Sequence, residues 1–192
     1  MGLPQFSRNE KFTYADLLTW PEEERWELID GVPYDMSPAP RTAHQRVSTN
    51  LVWVLENFFR NKKCRVFAAP FDIRLPKEGK DVFEITNVVQ PDISIICDPK
   101  KIDERGGIGA PELVIEILSE SSTRKDIGIK MLLYQNSGVK EYWVVDPDEE
   151  TITVYLPDKT GKYFPKRTYH KEEIIVLSLF PKCKIKLHDV FW

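Results

Sequence analysis

Apolar residues recur at two spacings along the chain, and the changes of spacing mark out its elements. Between residues 44 and 61, Val47, Leu51, Val54, Leu55, Phe58 and Phe59 keep a period near 3.6, which predicts a long amphipathic helix lying across a sheet. A second long helix is predicted from about residue 122 to 136, closed by Ser137-Gly138, since glycine accepts the left-handed backbone of a helix C-terminus. Residues 64–68, 71–75, 88–97 and 113–118 read as strands, the last two as near-continuous apolar runs that predict central positions covered on both faces. Near the start, Thr13 caps a short helix, Pro21 and the acids after it begin a further turn, and Asp30-Gly31 joins residues 26–29 and 32–36 as a hairpin. Beyond the second helix, residues 141–145, 151–156 and 162–169 read as short strands joined by turns rich in Pro, Asp and Gly. This order predicts an α/β domain whose central mixed sheet is flanked by helices, with an extra hairpin and meander.

The chain's 192 residues show no repeat, low-complexity tract or linker, so one domain over residues 1–192 is expected. With 42% hydrophobic residues, including 10 Phe, 7 Tyr and 5 Trp, the chain can bury a sizeable core, which excludes disorder over most of its length. The longest apolar runs fall far short of the ~20 residues of a membrane span, and the N-terminus lacks the apolar stretch of a signal peptide; a soluble protein without membrane attachment is expected. Three cysteines, Cys64, Cys97 and Cys183, are odd in number and far apart, which favours a reducing, cytoplasmic setting and a fold without staples. A formal charge of −3 excludes nucleic-acid binding by bulk electrostatics, so such contact falls to local patches. Lys62, Lys63 and Arg65, Lys100 and Lys101, and Arg124 with Lys125 are the candidate clusters, and plain solubility charges explain them equally well.

Three charges stand where the pattern calls for core. Glu116 interrupts Leu113-Val114-Ile115 and Ile117-Leu118, and Asp92 opens the apolar run Ile93, Ile95, Ile96. A buried carboxylate takes up a proton unless a cation, a metal or several donors face it. In the second helix Lys130 lies in the arc of Ile127, Ile129, Met131, Leu133 and Tyr134, so a lysine faces the core. Singly, Glu116 reads as a structural ion pair and Lys130 as a snorkelling stem or a partner of Asp126. Together, two acids and an ammonium are the set that holds a hard divalent ion and a water. An unpaired buried ammonium is costly, so Lys130→Met is expected to leave stability equal or higher.

These residues resemble the PD-(D/E)XK nuclease superfamily, and within it a family of restriction-endonuclease-like proteins. The resemblance rests on Trp26-Glu27-Leu28-Ile29-Asp30-Gly31, His44-Gln45-Arg46-Val47, Val89-Gln90-Pro91-Asp92-Ile93, the run from Ala110 through Glu116 to Ser119, and Gly138-Val139-Lys140-Glu141-Tyr142-Trp143-Val144-Val145-Asp146-Pro147. It implies a restriction-endonuclease-like core and a Mg²⁺-dependent endodeoxyribonuclease, with Mn²⁺ as a substitute, DNA as partner and a homodimer as assembly. Asp92, Glu116 and the main-chain carbonyl of Ile117 are its implied metal ligands. Leu118 stands where the motif lysine belongs, and Lys130 replaces it from the following helix; Ser119-Glu120-Ser121 also departs from the Pro-containing turn of relatives. Glu27 corresponds to an early acid, which also reads as a surface glutamate. His44 is a candidate phosphate or water contact that also reads as a packed or capping histidine at a helix start. Asp72 and Arg74 are expected on the solvated face of an edge strand. Two other functions stay open: a catalytically silent DNA-binding or regulatory module on the same fold, and hydrolysis of another phosphate ester.

Overall fold

Asp30 and Gly31 both take positive φ, 50° and 76°, the backbone that a tight two-residue hairpin turn requires. They set β1 (Trp26–Ile29) against β2 (Val32–Asp35), with Glu27 opposite Tyr34. Before the hairpin, α1 (Tyr14–Leu17) is closed by a reciprocal cap between Thr13 and Asp16. The structure, a computed structural model, describes residues 10–21, 23–36, 41–77, 81–119 and 124–192, with side chains from residue 128 onward in the last stretch. The expected turn after Pro21 and the Ser119-Glu120-Ser121 turn fall partly outside these residues.

The long helix is α2 (Thr42–Phe59), and its i, i+4 row Val47, Leu51, Leu55 and Phe59 is buried. The chain continues through β3 (Arg65–Ala68), β4 (Ile73–Arg74), β5 (Val88–Val89), β6 (Ile93–Ile96), β7 (Ile102–Asp103), β8 (Gly106–Ile108) and β9 (Leu113–Ile117). Then come α3 (Arg124–Ser137), β10 (Glu141–Asp146), β11 (Thr151–Pro157), β12 (Tyr163–His170), β13 (Ile174–Val176) and β14 (Lys184–Lys186). One mixed sheet has the order β12-β11-β10-β9-β6-β3, in which β9 and β10 are parallel and α3 makes the crossover between them. A second sheet has the order β2-β1-β5-β4-β8-β7, and β13 pairs with β14.

The main sheet is covered on both faces, as its apolar strands predict. On one face Ile93, Ile95, Ile115 and Ile117 pack against α2 and against Ile175 and Ile185 of the C-terminal ribbon. On the other, Ile96, Val114 and Tyr142 pack with Leu133 and Tyr134 of α3 and with Ile29, Ile73 and Val89 of the second sheet. The α/β class and central mixed sheet agree with the sequence. The second sheet does not follow from the apolar pattern, because its strands are as short as two residues and carry no readable period.

Three expectations are corrected. The strand read over 88–97 is two strands in two sheets: Pro91 has no N–H for a ladder, and the chain crosses from β5 to β6 there. Arg74 is not on a solvated edge, since β4 is flanked by β5 and β8. It is 1% exposed, donates to Asp103 Oδ1 at 2.5 Å and to Gly107 O at 3.3 Å, and lies over the Tyr14 ring at 5.1 Å. Asp72 is half-buried and accepts from Gln90. Finally, Cys64 and Cys97 are joined by a disulfide at the ends of β3 and β6, leaving buried Cys183 as the free thiol. The antiparallel register that pairs Arg65 with Ile96 brings these cysteines opposite each other across 33 residues of sequence, which spacing alone does not reveal. The cysteine argument for a reducing compartment therefore falls. Among the described residues no helix is long and apolar enough to cross a membrane.

Candidate active site

The register of β6 and β9 builds the centre of the site. Ile93 pairs with Ile115 in antiparallel sense, so Asp92 comes level with Glu116 where the two strands meet the crossover loop. Asp92 Oδ2 accepts from the Ile117 N–H at 2.8 Å, and Asp92 Oδ1 lies 3.1 Å from His44 Nε2 in the first turn of α2. Glu116 Oε1 is held by two side chains of α3, Lys130 Nζ at 3.1 Å and the Tyr134 hydroxyl at 2.5 Å. Lys130 and Tyr134 are four residues apart, so one helix face presents both. The second sheet supplies the rest. Glu27 of β1 receives Lys130 Nζ at 2.8 Å and the Gln90 N–H at 2.8 Å, both on Oε1. The Gln90 side chain takes a hydrogen bond from Arg25 at 2.8 Å and gives one to Asp72 at 2.8 Å.

Burial dominates the electrostatics. It pushes the Glu116 carboxyl up to about 7 from 4.5, with the Asp92 and Glu27 charges adding to the rise and Lys130 and Tyr134 opposing it. Burial disfavours the charged form of Lys130, but Glu116 and Glu27 outweigh it and hold the ammonium above the ordinary lysine range. The Tyr134 phenol is driven well above its usual value by burial and by Glu116, so it remains a donor. Burial opposes charging of His44, yet Asp92, aided by Glu116 and the Ile117 main chain, raises its pKa. Asp72 is raised by burial, which Gln90 and Arg74 offset only in part.

Of the residues singled out in the sequence, Asp92, Glu116, Ile117, Lys130, Glu27 and His44 converge. The surface alternative for Glu27 does not describe this arrangement, because Glu27 is 4% exposed, and the Lys130 ammonium sits between Glu27 and Glu116; the side chain of Asp126, the other expected partner, lies outside the described residues. The imidazole of His44 faces Asp92, while its Nδ1 is buried with no hydrogen-bond partner among the described residues. Lys62, Lys63, Arg65, Lys100 and Lys101 do not converge with these residues. Lys62 and Lys63 follow the far end of α2, about 22 Å from His44 at 1.5 Å per helical residue. Arg65 lies at the end of β3 opposite the Asp92 end of its pair, and Lys100 and Lys101 follow the distal end of β6. Arg124 and Lys125 begin α3 on the site side, with side chains outside the described residues. A shallow crevice beside His44 is lined by Arg41, Ala43, Leu118, Ser119, Pro147 and Asp148. Sequence reasoning missed Tyr134 and the Gln90 hub. The spacing of Tyr134 from Lys130 was a usable signal, whereas Gln90 reads as an ordinary polar residue before a proline.

The donor set suits a hard cation in kind: two carboxylates and a main-chain carbonyl, with water completing the shell, is the set Mg²⁺ accepts. Among the described residues no three His, Cys, Asp or Glu side chains form a ready-made metal cage. Both oxygens of Asp92 are instead engaged, by His44 and the Ile117 amide, and Glu116 Oε1 accepts from Lys130 and Tyr134.

An acid before one strand, an acid near the end of its antiparallel neighbour and a lysine from the following helix thus stand together in a mixed α/β fold. Residues 14–188 match the family Uma2, described as "Putative restriction endonuclease", and the chain belongs to that family. A protein of Synechocystis sp. described as uncharacterised is 27% identical over 156 residues, covering 80% of this chain and 78% of its own. The crystal structure of "a putative nuclease belonging to DUF820" from Anabaena variabilis superposes with a TM-score of 0.71 at 24% identity, covering 94% of this chain and 97% of its own, and it supports the fold.

Proposed function

We propose that the protein is a Mg²⁺-dependent endodeoxyribonuclease, with Mn²⁺ able to substitute, that hydrolyses phosphodiester bonds of DNA. The observation that carries the reading is the placement of Asp92 and Glu116 level on adjacent strands with the Lys130 ammonium 3.1 Å from Glu116. Asp92, Glu116 and the Ile117 carbonyl would hold the ion. When bound, the ion lowers the pKa of a water and offsets charge gathering on the phosphate oxygens. Lys130 supplies a fixed positive charge beside the reacting phosphate, and Glu27 holds that ammonium in place from the second sheet. His44 orients Asp92 through Nε2. A homodimer placing two such sites on a duplex would cut both strands.

A second reading has its own support. Lys130 is paired with two carboxylates, as in a structural ion-pair cluster, which suits a silent binding module. Incubating supercoiled and linear DNA with the wild-type protein and Glu116→Gln in Mg²⁺, Mn²⁺ or Ca²⁺ separates the readings. Cleavage by wild type in Mg²⁺ or Mn²⁺, lost in the variant, supports the nuclease. DNA binding without cleavage supports the module, and activity confined to small phosphodiesters supports hydrolysis of another ester.

A further inference from the structure

Tyr134 is absent from the chemistry proposed above, yet its hydroxyl makes the shortest hydrogen bond to Glu116, 2.5 Å to Oε1. The residue is 0% exposed. Its ring lies 5.4 Å from that of Tyr142, which in turn stacks on Tyr163 at 5.9 Å, so packing fixes where the hydroxyl points. Lys130 occupies the same oxygen from one helical turn earlier. Two donors therefore converge on Oε1, while Oε2 has no donor among the described hydrogen bonds.

Resting on the metal-site reading, we infer that Tyr134 is a positioning residue that, with Lys130, holds Glu116 by Oε1 so that Oε2 alone is presented to the divalent ion. A carboxylate on a short strand-end stem can rotate about its last torsion and offer an ion either one oxygen or both. Two donors on one oxygen remove that freedom, and partners that orient metal-binding groups typically change metal affinity 10- to 100-fold when deleted. An ammonium alone, with three rotatable donors and a second carboxylate to satisfy, fixes the direction poorly; a phenol on a packed ring fixes it well. Tyr134 does this without touching phosphate or ion, through Glu116.

The test is Mn²⁺ affinity of the metal-free protein, followed by titration calorimetry and Mn²⁺ electron paramagnetic resonance, for wild type, Tyr134→Phe and Tyr163→Phe. Tyr163 is the control: its hydroxyl donates to Val139 O at 2.8 Å in the same aromatic cluster, away from Glu116. Tyr134→Phe should weaken Mn²⁺ binding about tenfold, shift the metal concentration for half-maximal cleavage by the same factor and leave the KM for DNA unchanged. Tyr163→Phe should match wild type in all three. On a Glu116→Gln background, Tyr134→Phe should change Mn²⁺ affinity no further. Should Tyr134→Phe fail to fold, wild type carrying 3-fluorotyrosine should show the ¹⁹F resonance of residue 134 moving on Mg²⁺ addition while that of residue 163 stays fixed. Equal Mn²⁺ affinity in wild type and Tyr134→Phe, equal loss in both tyrosine variants, an undiminished effect on the Glu116→Gln background, or a silent residue-134 resonance each overturns the inference and leaves the metal site standing. A wild-type protein that binds no Mn²⁺ at millimolar concentration overturns the metal-site reading itself and this inference with it.

Discussion

Lys130 changes meaning once its neighbours are known. A lone buried ammonium is a cost, and from that premise Lys130→Met should be neutral or stabilising. With Glu27 at 2.8 Å and Glu116 at 3.1 Å the sign reverses, because the substitution strands two carboxylates in a buried site. Lys130→Met should destabilise the metal-free protein by about 3 kcal/mol at pH 8, the range for breaking a buried charge pair, and by less at pH 5.5, where Glu116 takes up a proton. Urea unfolding at both pH values checks this, and an equal or higher midpoint at pH 8 would return Lys130 to the role of a snorkelling side chain. The proton on Glu116 has its own signature. Its folded pKa, about 7, lies above 4.5, so the folded state holds the proton more tightly and gains most below pH 4.5. That contribution, on the order of 3 kcal/mol, is lost as pH climbs through 7. His44, raised above 6.5, works in the same direction and loses its share above that pH. Metal-free wild type should thus lose stability from pH 5 to 8, Glu116→Gln should flatten most of the slope, and added Mg²⁺ should stabilise more at pH 8 than at pH 5.5. Stability rising over that interval without metal would contradict the burial of Glu116.

At the scale of elements, the site is assembled by a hairpin, two strand ends and two helices, and their legibility in the sequence differs. The long helices and the two acid-bearing strands were readable because burial imposes a period on them, and Lys130 was readable because it breaks that period. Glu27 was readable only through the family resemblance: β1 carries Glu27 between Trp26 and Leu28, and nothing local says that its side chain turns inward to meet α3. The split at Pro91 was misread because Val88, Val89 and Ile93 read as one apolar run that hides the break the proline makes, and they pair in different sheets. The disulfide between Cys64 and Cys97 likewise depends on which strands pair. The hairpin turn is the local feature that aims Glu27. Gly31 holds φ at 76°, and an added Cβ would sit 3.1 Å from the Phe12 carbonyl. Gly31→Ala should therefore cost about 1 kcal/mol or more and loosen Glu27 from Lys130, whereas Asp30→Gly, at φ 50°, should be tolerated. Thermal midpoints of the two variants decide the matter, and an unperturbed Gly31→Ala would mean that the turn is not held in this geometry.

At the scale of the molecule, the structure decides which basic residues would meet DNA under the proposed function. The carboxylates lie where α2 begins and β9 and β10 end, while Lys62, Lys63, Arg65, Lys100 and Lys101 lie at the opposite ends of α2, β3 and β6. Four residues of β6 span about 13 Å at the rise of a strand, and α2 spans more, so a backbone held at the acids does not run along those clusters. The near side carries other positive groups: Arg41 at the head of α2 lines the crevice next to His44, and the first N–H groups of that helix, which Arg41 does not cap with its side chain, point the same way. With a net charge of only −3, association depends on such local contacts, each of which adds about 0.9 to the slope of log affinity against log salt. Arg41→Ala should weaken DNA binding in Ca²⁺ and lower that slope by about 0.9, whereas the combined substitution Lys62→Gln, Lys63→Gln and Lys100→Gln should have a smaller effect on both. Fluorescence anisotropy of a labelled duplex across a salt series measures the slopes. A steeper loss from the triple substitution than from Arg41→Ala would place the DNA along the far rim and require a second copy of the chain, or a bend in the duplex, to bring phosphate to Asp92 and Glu116.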